Sequence, residues 1–203
     1  TIYKQDFEVV LEQTKDGENL LRPLYYPKNE SAESIGAAPH TDIDDFTLLP
    51  MSTEEGLQVL HDKKWVSVKV PPNAVIVNGG DKLQNLTNGF FKSAWHRVKM
   101  APDKERRSIV YFVHPKWDDS RSPTAKCIER TGGVQRYPVA TSGELLTSRL
   151  RELKLASQSL LEFEKASGIM DRIAELVKSG NAARPVQRTY ILWSREQQEA
   201  QNY

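Results

Sequence analysis

From residue 18 to about 115 the sequence is a succession of short apolar runs separated by turn-forming residues, and no other feature constrains the fold as much. The runs are NLLRPLYYP, DFTLLPM, GLQVL and WVSVKV on either side of HDKK, AVIVN, SAWHRVKM and RRSIVYFV. They are rich in the β-branched and aromatic residues that fit a pleated, half-buried surface. In WVSVKV, Val66, Val68 and Val70 alternate with Ser67 and Lys69, which predicts a strand with one buried face. AVIVN and SIVYFV are apolar throughout and predict burial on both faces. Strands this closely spaced predict a mainly β domain over 18–116, and their number suits a jelly roll.

The character changes after Pro115. KWDDSRSPTAK and TGGVQRYP, rich in Ser, Gly, Pro and charge, predict a loop over 117–140. A helical extension follows over 141–203. Thr141 and Glu144 form a capping box, and Leu146, Leu150 and Leu153 fall on one helical face. A second helix is expected over about 158–179, with Ile169, Ile173, Leu176 and Val177 on its buried side and Gly180 as its stop. RPVQRTYILWSREQQEAQNY is ambiguous. Residues 1–17 read as the end of a helix.

Charge narrows the range of partners. Lys and Arg total 28 against 27 for Asp and Glu, a net charge of +1. That supplies no field for gripping nucleic acid or an acidic membrane, so a small-molecule partner is expected. The single cysteine, Cys127, excludes a disulfide framework. No apolar run approaches the roughly 20 residues that span a bilayer, and TIYKQDFEVV lacks the features of a signal peptide. A soluble, cytoplasmic protein is the expectation.

The stretch APHTDIDDF, residues 38–46, carries the chemistry. Read as strand, it projects His40 and Asp42 from one face, where an imidazole and a carboxylate reach a single metal ion. Of the other three histidines, His61 lies in a hairpin turn and His114 adjoins Pro115, whereas His96 sits inside a strand-like run. Two imidazoles and one carboxylate make the facial triad that holds non-heme Fe(II) and leaves coordination positions open for chemistry. A His-x-Asp pair also arises by chance, and a histidine between Trp95 and Arg97 is more often packed than ligating. On these residues alone, metal site and solvated acidic turn both stand.

Five separated motifs tip the balance. Tyr25-Tyr26-Pro27, PHTDIDDFTLL, GLQV with Trp65 and Val68, PPNAVIVNGGDKLQNLTNGFFKSAWHRV, and Arg106 with Ser108 in ERRSIVYF follow in order. Together they resemble the isopenicillin N synthase-like family of 2-oxoglutarate- and Fe(II)-dependent oxygenases, which includes plant flavonoid and hormone oxygenases. The resemblance covers roughly residues 18–155 and implies a double-stranded β-helix. It implies that His40, Asp42 and His96 bind Fe(II) and that 2-oxoglutarate and O2 are co-substrates. Arg106 would take the far carboxylate of 2-oxoglutarate through its planar fork, Ser108 would add a hydroxyl from the same strand face, and Tyr26 a phenol. Phe112 and Arg22 would lie at the substrate pocket. The implied reaction oxidises a small molecule by hydroxylation or desaturation, with succinate and CO2 as co-products.

Departures from the pattern are also visible. Leu24 stands where the family often has asparagine, and only residues 1–24 precede Tyr25, where family members carry many more; whether an N-terminal region is missing from this sequence stays open. Arg107 is expected on the opposite face from Arg106, and Asp44 and Asp45 in a supporting or solvent-facing role. Two other readings compete: an isopenicillin N synthase-type Fe(II) oxidase that does not use 2-oxoglutarate, and a jelly-roll binding module with a vestigial metal site.

Overall fold

The computed structural model describes residue 12, residues 14–29 and residues 34–201. The chain divides into two compact units, one built from the residues before Lys82 with Lys92–Pro115, the other from Lys82–Phe91 with the residues from Lys116 onward.

The first unit is antiparallel β-structure in two four-stranded sheets. Its strands are β1 (Leu20–Tyr26), β2 (Ile35–His40), β3 (Phe46–Ser52), β4 (Leu57–His61), β5 (Lys64–Ser67), β6 (Ile76–Gly79), β7 (His96–Lys99) and β8 (Arg106–Val113). One sheet has the order β1-β8-β3-β6 and the other β2-β7-β4-β5. Pro39, which has no N–H to donate, falls on the edge strand β2, where a missing ladder bond is tolerated. Asp62 and Lys63, both at positive φ, close the β4–β5 hairpin in two residues.

Along β8 the register sets two faces. Arg106, Ser108 and Val110 are buried, whereas Arg107 is exposed. Direct pairing puts Tyr26 opposite Arg106, Leu24 opposite Ser108 and Arg22 opposite Val110 on β1. On the other side of β8, Thr47 of β3 lies opposite Phe112, and Asn78 of β6 lies opposite Thr47. These residues form the inner face of the sheet. The sheets approach closely at Gly36 of β2, where a Cβ would fall 2.8 Å from Cδ1 of Tyr26.

Two expectations about strand burial are corrected. Val77 of AVIVN is 65% exposed, because β6 is an edge strand and its outer side has no neighbour. In WVSVKV, β5 ends at Ser67, and Val66 and Val70 are exposed. Val66 instead ends the cross-strand row His40–His96–Val59–Val66, on the edge strand β5.

The second unit is helical: α1 (Asp81–Leu86, whose first residue belongs to the β unit), α2 (Ala125–Arg130), α3 (Ser142–Glu152), α4 (Gln158–Ser167), α5 (Ile169–Lys178) and α6 (Arg184–Gln201). The stretch 117–140, expected as loop, therefore contains a short helix, started by Thr124, whose hydroxyl accepts from the Cys127 N–H. The capping box of Thr141 and Glu144 is present at the start of α3. That helix, however, buries Thr147, Ser148 and Arg151, and Leu153 is 55% exposed. Ion pairing explains the buried arginine: Arg151 meets Glu164 of α4 at 3.0 Å and Glu196 of α6 at 2.7 Å.

The single helix expected over 158–179 is two, divided at Gly168, whose φ of 67° is left-handed. Tyr137, Ala140, Ile169, Met170, Ile173, Ala182 and Val186 form the unit's core, with Leu176 and Val177 partly buried against it. Of the ambiguous last stretch, Arg184–Gln201 is helix α6. Residues 1–11 and 13 of the expected N-terminal helix end lie outside the described residues. No helix among the described residues is long and apolar enough to cross a membrane.

Candidate functional site

His40 and His96 are register partners at the end of the β2–β7 ladder, and their ring centroids are 4.2 Å apart. Each ring is oriented by its own chain. Nδ1 of His40 lies 2.7 Å from the Ala38 carbonyl, and Nδ1 of His96 lies 3.0 Å from the Ala94 carbonyl. A proton on each Nδ1 satisfies those carbonyls and leaves both Nε2 lone pairs free. Both Nε2 atoms point at Asp42, at 3.6 Å for His40 and 3.7 Å for His96. One ligand atom from each of His40, Asp42 and His96 falls within 4.8 Å of the others, a spacing suited to one metal ion. His61 and His114 are outside this group; His61 is exposed beside Asp62 in the hairpin.

Asp42 reaches the site by a different route from the one expected. β2 ends at His40, so no shared strand face carries the pair. The turn after β2 is instead tied down by backbone bonds: the Asp81 N–H donates to the Asp42 carbonyl at 2.8 Å, the Gly80 N–H to the Asp45 carbonyl at 2.9 Å, and the Asp45 N–H to the Val113 carbonyl at 3.1 Å. Gly80 is required for this approach, since a Cβ there would fall 2.2 Å from the Asp44 carbonyl oxygen. Asp42, Asp44 and Asp45 are all buried. Of the supporting and solvent-facing roles expected for Asp44 and Asp45, their burial excludes the solvent-facing one.

Two side chains that sequence reasoning passed over position Asp42. The Asn78 amide donates to Asp42 Oδ2 at 2.9 Å. The Thr47 hydroxyl lies 2.7 Å from Asp42 Oδ2 and 2.7 Å from Asp44 Oδ2, and its single proton serves one of them at a time. Their one signal in the sequence is a polar residue ending or interrupting an apolar strand.

A second cluster lies on the same inner face. Arg106, only 4% exposed, donates through Nε to the Glu54 carbonyl at 3.1 Å and through Nη1 to the Ser108 hydroxyl at 3.0 Å. Its guanidinium carbon is 5.4 Å from the Tyr26 ring centroid. Among the described residues no carboxylate pairs with it. Glu105, the adjacent acid, pairs instead with Arg107 at 2.8 Å and accepts from the Tyr25 hydroxyl, on the outer side of the sheet. Burial raises the Tyr26 pKa, partly opposed by the Arg106 charge. Burial lowers that of Arg106, partly opposed by Tyr26. Arg106 also lines a cavity of about 730 Å³ with Leu49, Leu57, Val68 and Ile76, which His40, Asp42 and His96 do not line. Further along β8, the Arg22 guanidinium carbon lies 5.5 Å from the Phe112 ring centroid.

The family profile described as "2OG-Fe(II) oxygenase superfamily" matches residues 17–115. Among curated proteins, 1-aminocyclopropane-1-carboxylate oxidase 5 of Arabidopsis thaliana is 38% identical over 124 residues, which are 60% of this chain and 40% of that protein. Jasmonate-induced oxygenase 2 of Arabidopsis thaliana is 42% identical over 130 residues, 62% of this chain and 35% of that protein. Among solved structures, JOX2 in complex with 2OG, Fe and JA superposes with a TM-score of 0.62 at 34% identity, covering 77% of this chain and 47% of that one. The chain thus spans less than half the length of these relatives.

Proposed function

Residues 17–115 are a domain of the 2OG-Fe(II) oxygenase superfamily, and from that premise we propose that the protein is a non-heme Fe(II)- and 2-oxoglutarate-dependent dioxygenase. It hydroxylates or desaturates a small molecule, and succinate and CO2 are its co-products. Its two sheets are the halves of a double-stranded β-helix, with 18–116 as the oxygenase core and 141–203 as a helical extension. The lone free Cys127 suits a reducing, cytoplasmic setting.

In this reading His40, Asp42 and His96 hold Fe(II). Two neutral imidazoles and one carboxylate fit that ion's preference and leave open positions. When bound, the iron supplies the redox chemistry that consumes O2 and 2-oxoglutarate. The chain's own residues bind and orient. The Ala38 and Ala94 carbonyls hold the Nδ1 protons, which aims each Nε2 inward. Thr47 and Asn78 hold the Asp42 carboxylate. Arg106 receives the far carboxylate of 2-oxoglutarate, Ser108 adds its hydroxyl, and the protonated Tyr26 phenol closes the cluster. Phe112 and Arg22 border the substrate.

The observation that carries this reading is Arg106: a buried guanidinium, bonded to a carbonyl and a hydroxyl and, among the described residues, to no acid, on the same face as the residues that support Asp42. A buried charge of this kind calls for an anionic ligand. Anaerobic titration with Fe(II), with and without 2-oxoglutarate, tests it. A visible charge-transfer band is expected only with both present. Iron binding without that band would favour an isopenicillin N synthase-type oxidase instead.

A further inference from the structure

The cavity beside Arg106 has no part in the roles assigned so far. Its walls come from both sheets of the β unit: Leu49 of β3 and Ile76 of β6 on one, Leu57 of β4 and Val68, whose N–H donates to the Leu57 carbonyl, on the other. Met51 and Val75, both more than half exposed, belong to the same lining and give it an apolar rim. Its volume of about 730 Å³ is that of a small-molecule pocket, roughly 300–1,000 Å³. An apolar hollow with an apolar rim favours a guest that removes both from water.

Arg106 is the one cation among the residues that line it. Nε and Nη1 are engaged by the Glu54 carbonyl and the Ser108 hydroxyl, and among the described residues nothing accepts from Nη2. Neither Ser108 nor Tyr26 lines the cavity, and neither do His40, Asp42 and His96. The guanidinium is therefore approached from two directions: past Ser108 and Tyr26, where 2-oxoglutarate is assigned, and from the cavity. Two acids of the lining restrict the charge of a guest. Glu54 is paired with Lys104 at 3.2 Å, whereas Glu55 is exposed. A guest with a second carboxylate would bring it toward a like charge, so a monoanion with an alkyl chain is favoured over a dicarboxylate.

We propose that the cavity binds a linear aliphatic monocarboxylate, with its carboxylate on Arg106 and its chain among Leu49, Leu57, Val68 and Ile76, and that this guest and 2-oxoglutarate exclude each other. The exclusion rests on the reading of Arg106 as the 2-oxoglutarate anchor; the cavity site does not.

Butanoate, hexanoate, octanoate, octanamide and octanedioate are the probes, titrated calorimetrically into the whole protein under anaerobic Fe(II), with and without 2-oxoglutarate. Affinity is expected to rise about three- to fourfold per methylene from butanoate to octanoate. Octanoate should bind about tenfold more tightly than octanamide or octanedioate, and 2-oxoglutarate should displace it. Arg106→Gln should remove the preference for acid over amide. Val68→Phe and Ala74→Phe, which fill the hollow, should each weaken octanoate about tenfold, with the thermal midpoint as the check on folding. Affinity independent of chain length, equal binding of octanoate and octanamide, or octanoate binding unchanged in both filled variants would overturn the site. An iron band with 2-oxoglutarate beside no octanoate binding removes the proposal and leaves the oxygenase reading. Octanoate binding that depends on Arg106 and chain length, with no iron band and no displacement, removes the oxygenase reading and leaves the cavity site. A band beside octanoate that 2-oxoglutarate does not displace overturns the exclusion.

Discussion

Tyr26 lies directly opposite Arg106 across the β1–β8 ladder, with the guanidinium carbon 5.4 Å from the phenol ring. Burial shifts their two titrations in opposite directions. Tyr26 has its pKa raised above the ordinary value of 10.0. As the pH climbs past that value the unfolded chain loses the phenol proton first, so stability falls there and continues to fall until the folded protein titrates. Arg106 has its pKa lowered from the ordinary guanidinium value, so its own contribution rises with pH, but in that more alkaline range. Urea unfolding midpoints between pH 8 and about 11 are expected to decline in the wild-type protein and to decline less in Tyr26→Phe. An equal decline in both would remove Tyr26 as the source.

On the proposed roles, metal and co-substrate binding are expected to be separable by mutation. His40→Ala is expected to abolish Fe(II) retention, measured by colorimetric iron assay after anaerobic desalting. Arg106→Ala is expected to retain iron and lose 2-oxoglutarate affinity by about 10- to 100-fold, the scale of a lost charged hydrogen-bond partner. Equal iron loss in both variants would break the division of roles.

Of the three proposed metal ligands, Thr47 hydrogen-bonds Asp42, so its effect on the metal would be an indirect one. Thr47→Val removes the hydroxyl 2.7 Å from Asp42 and Asp44. Iron affinity is expected to fall about 10- to 100-fold, as for other groups that orient a ligating carboxylate. The melting temperature should fall as well, since a buried acceptor loses a donor. Thr47→Ser, which keeps the hydroxyl, should restore most of the iron affinity.

Gly36 gives a test that leaves every chemical group in place. In Gly36→Ala the new methyl group, 2.8 Å from Cδ1 of Tyr26, displaces the ring. The KM for 2-oxoglutarate should rise while Fe(II) affinity stays near the wild-type value.

The helical unit has a test of its own. Arg151→Ala leaves Glu164, a buried carboxylate, without its cation. Loss of about 3–5 kcal/mol is expected from breaking a buried pair in this way, read as a lower thermal midpoint.

Every strand run quoted from the sequence contains a strand of the structure, because alternation and β-branched composition are local signals. The Thr141 capping box was equally legible, since its partners are three residues apart. What the sequence concealed depends on distant residues. The turn after His40 looked solvated because it holds three aspartates, and only the backbone of Gly80, Asp81 and Val113 makes it an interior one. Thr47 and Asn78 carried no sign of their role, which comes from pairing across β3 and β6. Leu146, Leu150 and Leu153 suggested the buried face of α3, but the Arg151 network claims that side. Gly168 was read through as helix interior, although its left-handed φ divides the helix there.

The buried Arg106 also bears on how long the protein survives. Among the described residues this interior cation has no counter-charge, and in its proposed role a captured dicarboxylate would supply one. Ligand at a hundredfold excess over its Kd stabilises the folded state by about 2.7 kcal/mol. That slows local opening and the proteolysis that follows it. The supply of 2-oxoglutarate would then set the amount of enzyme that persists, as well as the rate at which each molecule works.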